Sequence, residues 1–469
     1  MRKRKPMELL SSNGKRNRKK EGLSLLASIS CPVLALIDDY RAPPKEFLHT
    51  HKSQRLFMRS FPSLSHFIPS ERQMIDLREE LAKKHGTATD IIHSSIFTGA
   101  YITDPVLFVQ SLTKHTPHSL LAIGGDCGGG HTKLGVTYTD ATETQRFACL
   151  FVFAGKDCAE NLNALKKHGI TKFIGLSSGY NTIWEVLQAL RDKDWRHVCL
   201  NGDWPFISGI LGLGGSSATN PCPICTVDRK KLLADAEFRE PFGDKTTNPS
   251  PSKDWPDALL YFEPSHIVPM PLHVFLGLSN RIIDEAHTEL FGEDVIQEAV
   301  KSVRTIHSAG CGGAADRGGL QGPELRKYID GDVPMKQAAA QGVVITAPTR
   351  ESLAVLQRWL TEFHTGLLRT GKWTPDDIKR WRELVDEVLA QWQKRVGKPF
   401  PKLHLLKHTL HFAEHHRYLG RYSEQALESF HGKFNYLYHR QHRNKAKDDS
   451  ERFRRSLAHA ALVEIQRVI

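Results

Sequence analysis

Short apolar runs meeting at a glycine-rich turn constrain this chain more than any other feature. Residues 119–123 (SLLAI) lead into Gly-Gly-Asp-Cys-Gly-Gly-Gly at 124–130, and the pattern resumes at 132–138 (TKLGVTY). Short apolar segments bounded by glycine read as strand, turn, strand, with Asp126 where the first strand runs out. Residues 147–153 (FACLFVF) supply a third strand, and 197–200 (HVCL) another, with Asp203 just past its end. Between them, 160–168 and 182–191 carry helical spacing and 171–176 is a further apolar segment; a helix is expected from Pro205. This alternation predicts an α/β or α+β fold with a helix-backed sheet.

The rest of the chain divides by texture. Residues 1–22 read as a basic disordered arm, and 23–118 as a mixed, mainly helical region with one clear helix over 70–84. Residues 119–225 form the strand-rich part. Residues 226–400 read as a helical insertion that opens with a polar Pro/Ser/Asp-rich stretch and has its clearest helices at 350–370 and 375–395. Residues 401–469 hold a histidine pair and a C-terminal acidic helix.

Charge suggests a partner. The 469 residues contain 64 Lys+Arg against 52 Asp+Glu, a formal charge of +12, which favours a polyanion. Nine of the basic residues lie in two clusters within residues 1–20, the spacing of a two-part nuclear localisation signal or of an arm that follows a phosphate backbone. A second basic zone covers 439–445 and 452–455. No stretch approaches the ~20 apolar residues of a membrane span, and the basic opening leads to no secretory apolar region. Eight cysteines in a chain this long point to a reducing compartment rather than a disulfide scaffold.

Three acids stand out. Asp126 and Asp203 occupy strand ends, and Glu428 lies in Ser-Glu-Gln-Ala-Leu-Glu-Ser-Phe-His at 423–431, a segment of helix formers opened by a serine. Such a set can hold a pair of Mg²⁺ or Mn²⁺ ions about 3.5–4 Å apart, hard cations that prefer oxygen ligands. Glycines 124, 125 and 128–130 would let a backbone and a DNA phosphate approach closely. Taken by spacing alone, the three acids favour a purely structural role, because the chain offers many such triples; the motifs around them shift the balance.

Cys222-Pro-Ile-Cys225 has the spacing of a zinc knuckle, and His404 and His408 lie four apart on one helical face. Together they would make a tetrahedral structural Zn²⁺ site that ties the helical insertion to the strand-rich core. His411, His415 and His416 crowd the same region and leave the choice of imidazoles open.

These elements in this order resemble the DDE transposases, most of all the Transib group and the related catalytic subunit of the V(D)J recombinase, with CACTA/Chapaev elements as relatives. The resemblance covers roughly residues 119–460. It is supported by Leu272-His273-Val-Phe-Leu-Gly277, by the glycine-rich 318–327 and by Leu419-Gly420 leading into Ser423-Glu424. It implies an RNase H-like core interrupted by a large helical insertion, with Asp126, Asp203 and Glu428 as ligands of two catalytic Mg²⁺ or Mn²⁺ ions. Cys222, Cys225, His404 and His408 would be the zinc ligands, and Glu424 is the rival third acid. It further implies a nuclear homodimer that cuts and joins double-stranded DNA, with or without an accessory protein. One departure is Met270, which stands where relatives often carry Asp, three residues before His273. No dedicated DNA-binding module is recognisable before the core. Two other readings therefore stay open: a catalytically silent, domesticated DNA-binding or chromatin protein, and an RNase H-like nuclease without joining activity.

Overall fold

The computed structural model describes residues 82–93, 98–113, 120–140, 142–155, 198–239, 262–304, 319–442 and 446–466. The remaining sequence expectations, including the basic arm, most of the helix over 70–84 and the segments between 160 and 191, lie outside these residues.

The described chain is mixed α/β, built on a six-stranded sheet with the order β1-β2-β5-β4-β3-β6. Strands β3 (Leu120–Gly128), β4 (His131–Thr139) and β5 (Gln145–Ala154) form an antiparallel meander. Strand β6 (Cys199–Gly202) then pairs parallel to β3. The sequence pattern anticipated all four. Strand β4 is buried at every position and β5 from Phe147 to Phe153, as expected of a sheet covered on both faces.

The sheet begins earlier than the change of texture at residue 119. Strands β1 (Thr89–His93) and β2 (Thr98–Ile102) form a hairpin that pairs with β5 through β2, and helix α1 (Pro105–Thr113) follows. Part of the region expected to be mainly helical thus belongs to the sheet. Its strands are short, and their alternation is broken by Gly99, so periodicity alone does not declare them.

Helix α2 (Trp204–Ile210) leaves β6 directly. The long helical body contains α3 (Pro271–Arg281), α4 (Glu293–Val303), α5 (Gly322–Asp330), α6 (Val333–Ala340), α7 (Ala347–Leu367), α8 (Pro375–Arg395) and α9 (Pro401–His416). Its core includes the fully buried Trp359 and Trp392. Helix α8 starts at a capping box in which Thr374 and Asp377 bond reciprocally, and Trp381 Nε1 donates to Thr409 Oγ1 at 3.0 Å to join α8 to α9. The body rejoins the sheet where Val268 N donates to Leu200 O of β6 at 2.9 Å.

Helices α10 (Gln425–Tyr436) and α11 (Asp449–Gln466) then return to the sheet. Helix α11 packs on β1, β2 and β5, and Tyr138 of β4 donates to its buried Glu464 at 2.7 Å. The entry to α10 is pinned from two strands: Asn201 of β6 donates to Tyr422 O at 3.3 Å and Gln145 of β5 to Ser423 O at 2.7 Å. Among the described residues, no helix is long and apolar enough to cross a membrane.

The glycines around Asp126 admit protein neighbours. A Cβ on Gly124 would meet Asn201 Oδ1 at 1.7 Å, one on Gly125 the Phe206 ring at 2.4 Å, and one on Gly128 the His431 ring at 2.4 Å. Gly129 faces Asn435 in the same way, whereas Gly130, at φ +81°, has open space around it. The close approach expected of a phosphate is made at these four positions by β6, α2 and α10. Gly125→Ala is therefore expected to destabilise the protein by about 1–3 kcal/mol through overpacking. Chemical denaturation checks this, with the same substitution at Gly322, an open position without a positive φ, as the comparison.

Candidate metal centres

Parallel register decides where the two aspartates stand. Gly125 of β3 pairs with Gly202 of β6, so Asp126 and Asp203 are the next residues on neighbouring strands that run the same way. Asp203 is the N-cap of α2, and its Oδ1 accepts from Phe206 N at 2.8 Å. Asp126 is buried; its Oδ1 accepts from Cys127 N at 2.6 Å, and its Oδ2 lies 3.1 Å from His431 Nε2.

Helix α10 brings the third acid. Glu428 and His431, three residues apart on its sheet-facing side, join Asp126 in a group whose donor atoms all lie within 4.8 Å of one another. Asp203 stands outside that tight group, held at the start of α2. Glu424 does not join it either. It is fully buried, its Oε2 accepts from Leu272 N at 3.2 Å, and its Oε1 lies 3.6 Å from His273 Nδ1. Helix α3 needs that carboxylate: Met270, at its N-cap with φ +52°, supplies no capping side chain. An acid on another helix thus satisfies a donor at the helix start. His273 links the two glutamates, with Nε2 3.7 Å from Glu428 Oε1.

The acids titrate apart. Burial works to raise Asp126, but the hydrogen bond and charge of His431, with help from Glu428 and His273, bring it down to about 2. Glu428 is pushed up to about 7 by burial and by the charge and hydrogen bond of Asp126, with His273 opposing. Near neutral pH the two carboxyls share a proton, as close carboxylates must when nothing else neutralises them. Burial disfavours the charged form of His273, yet the Glu424 hydrogen bond and both glutamate charges raise it above its usual value.

A further cation lies on the same face of the sheet. Lys133 is the cross-strand partner of Asp126, fully buried, and its Nζ donates to Gly128 O. Burial brings it down to about 8, against the pull of Cys149, Cys127, Asp126 and Glu428. Lys133, His273 and His431 were missed in the sequence. The Glu-x-x-His spacing at 428–431 was a usable signal for His431; Lys133 became visible only with the register of β3 against β4.

The second group is built from sulfur and nitrogen. Cys222 and Cys225 sit in the loop after α2, shaped by the buried Arg239, which donates to Cys222 O and to Asn220 O, both at 2.8 Å. His404 and His408 project from successive turns of α9. All four are buried, with donor atoms within 4.8 Å of one another. His404 Nε2 lies 3.1 Å from both Cys225 Sγ and His408 Nε2, while its Nδ1 donates to Leu232 O at 2.8 Å. That outer bond puts the proton on Nδ1 and the lone pair on Nε2, the arrangement typical of a ligating histidine. Burial lowers His408 to about 4 and so keeps it neutral. The Cys225 thiol is lowered by the hydrogen bond from Cys222 and, against burial, by the two imidazoles. The donors fit a closed tetrahedral site, whose nitrogen and sulfur ligands sit roughly 3.3–3.7 Å apart. His411 stands outside it, its Nδ1 3.4 Å from His408 Nδ1, and His415 and His416 fall in a different cluster with His266.

Neither protein-family models nor curated proteins give a match to this sequence. The functional reading therefore rests on these two groups and on the elements that hold them.

Proton sharing has a measurable consequence. With the folded carboxyl of Glu428 at about 7 and the ordinary value at 4.5, the metal-free folded chain binds a proton that the unfolded chain releases between those values. Its contribution to stability is present at low pH and fades as pH rises through about 7. The difference in Tm between wild type and Glu428→Gln is expected to widen in favour of the variant from pH 5 to pH 8, measured by differential scanning fluorimetry in chelator.

Proposed function

We propose that the chain is a DDE-type transposase, or a recombinase derived from one, that cuts and joins double-stranded DNA on an RNase H-like core. One observation carries this reading. One aspartate lies within β3, the other follows directly from the parallel β6 one step beyond the Gly125–Gly202 pair, and a glutamate on a helix after a long helical insertion reaches the first of them. The strand order supports it, with an antiparallel meander β3-β4-β5 and β6 set parallel beside β3.

Asp126, Asp203 and Glu428 would hold two Mg²⁺ or Mn²⁺ ions, which supply activation of the attacking hydroxyl and stabilisation of the leaving oxygen in phosphoryl transfer. The protein's part is to set the charge. Asp126 enters as a carboxylate, held so by His431, and Glu428 gives up the shared proton when cations take its place. His273 orients Glu428 through the buried Glu424. Lys133, on the same face of the sheet, offsets negative charge. The excess of 12 positive charges and the nine basic residues within 1–20 fit a phosphate-backbone partner and nuclear import. Cys222, Cys225, His404 and His408 suit Zn²⁺ in a structural role, fastening the loop after α2 to α9. A homodimer acting on two DNA ends is part of the same proposal.

The test uses duplex oligonucleotides taken from inverted repeats flanking the coding region, incubated with the full chain and Mg²⁺ or Mn²⁺. Joined strands or hairpins are expected. Asp126→Asn, Asp203→Asn and Glu428→Gln should each reduce them by on the order of a hundredfold or more, beyond the 10–100-fold loss typical of an outer-shell change. Hydrolysed ends without joining indicate a nuclease, and DNA binding without any cleavage indicates a silent binding protein. Separately, Cys225→Ser or His404→Ala is expected to remove one equivalent of zinc and lower Tm by several degrees, read by metal analysis and thermal melting.

A further inference from the structure

Beyond that reading, a third group of metal-ligating side chains stands apart from the other two. His266 closes a short 3-10 turn, Pro264–His266, just before Ile267 bridges to Leu200 of β6. His415 and His416 end α9, the helix that carries His404 and His408. One ring nitrogen from each of the three histidines lies within 4.8 Å of the others. The rings of His266 and His416 meet edge-on at 5.1 Å and those of His415 and His416 at 4.6 Å.

Their outer bonds resemble those of ligating histidines. His416 Nε2 donates to Ser265 O at 2.7 Å, so the neutral ring bears its lone pair on Nδ1. His266 Nδ1 meets Ser265 Oγ at 3.1 Å, with the Glu263 carboxylate 4.0 Å away on the same side. A carbonyl in one case and a hydroxyl in the other are hydrogen-bond partners of the kind that fix tautomer and ring direction in metal sites. The exposed His415 borders a cavity of about 410 Å³ that is also lined by Ser265 and His411.

We propose that His266, His415 and His416 form a separate, exchangeable site for a borderline transition-metal dication such as Zn²⁺. Imidazoles select this class over Mg²⁺, and three ligands leave a position open, unlike the closed Cys₂His₂ group. Nitrogens at about 2.0–2.1 Å from the ion stand about 3.3–3.5 Å apart. The three nitrogens, within 4.8 Å of one another, lie close to that spacing, and the exposed His415 side chain has room to turn. A bound ion would fasten the segment that bridges to β6 onto the end of α9.

The untagged full chain, stripped of metal and dialysed against free Zn²⁺, provides the test. Wild type is expected to hold one equivalent more than His415→Ala or His266→Ala, with the affinity of that equivalent reduced at least about tenfold in each variant. Circular dichroism establishes that the variants are folded, and the exposed His415→Ala decides the matter if His266→Ala is not. Equal zinc content in wild type and His415→Ala overturns the proposal. So does loss of that equivalent in His411→Ala with its retention in His415→Ala.

Discussion

The acidic centre depends on the short parallel pairing of β3 with β6. Its register, Gly125 against Gly202, makes an aspartate the next residue of each strand, at the end of β6 and inside β3, which continues to Gly128 and not to a turn at Asp126. Like charges so placed repel, and the surrounding structure compensates each in a different way. Asp203 caps a helix and draws on its N-terminal donors. Asp126 has His431 beside it and Lys133 opposite on β4. The pairing itself requires glycine at 124 and 125, because Asn201 and Phe206 occupy the space where side chains would sit.

The helical body supplies what the sheet lacks. It occupies the chain between Asp203 and Glu428, rejoins β6 at Val268, and delivers both α9 and α10. The four-residue offset between Glu424 and Glu428 then becomes a division of labour. Glu424, buried at the start of α10, caps α3 in place of the side chain that Met270 does not provide, while Glu428 reaches Asp126. His273, on α3, touches both and couples the body to the centre.

The two principal groups differ in their chemistry. The acidic one offers oxygens with one histidine and is half open at Glu428, whose side chain is 40% exposed. Hard, exchangeable cations suit it. The four Cys/His side chains are buried, with His408 kept neutral and the Cys225 thiol acidified, which suits a permanent ion with sulfur and nitrogen ligands.

Much of this was legible in the residues. Apolar runs and glycines located β3, β4, β5 and β6, and the helical signal at 350–370 and 375–395 located α7 and α8 within a few residues. The CxxC and the histidine pair were identifiable by their spacing, whereas the acids, one triple among many by spacing, stood out only through the motifs around them. The chain alone did not announce β1 and β2, whose pairing is a property of the sheet. Nor did it distinguish Glu428 from Glu424, or His404 and His408 from the five histidines of 404–416, since residues four apart share a helical face equally well. Those choices were made by tertiary structure. Where α10 meets β3, and where α9 meets the Cys222–Cys225 loop, fixes which side chain reaches a partner, and local sequence carries no record of that distance.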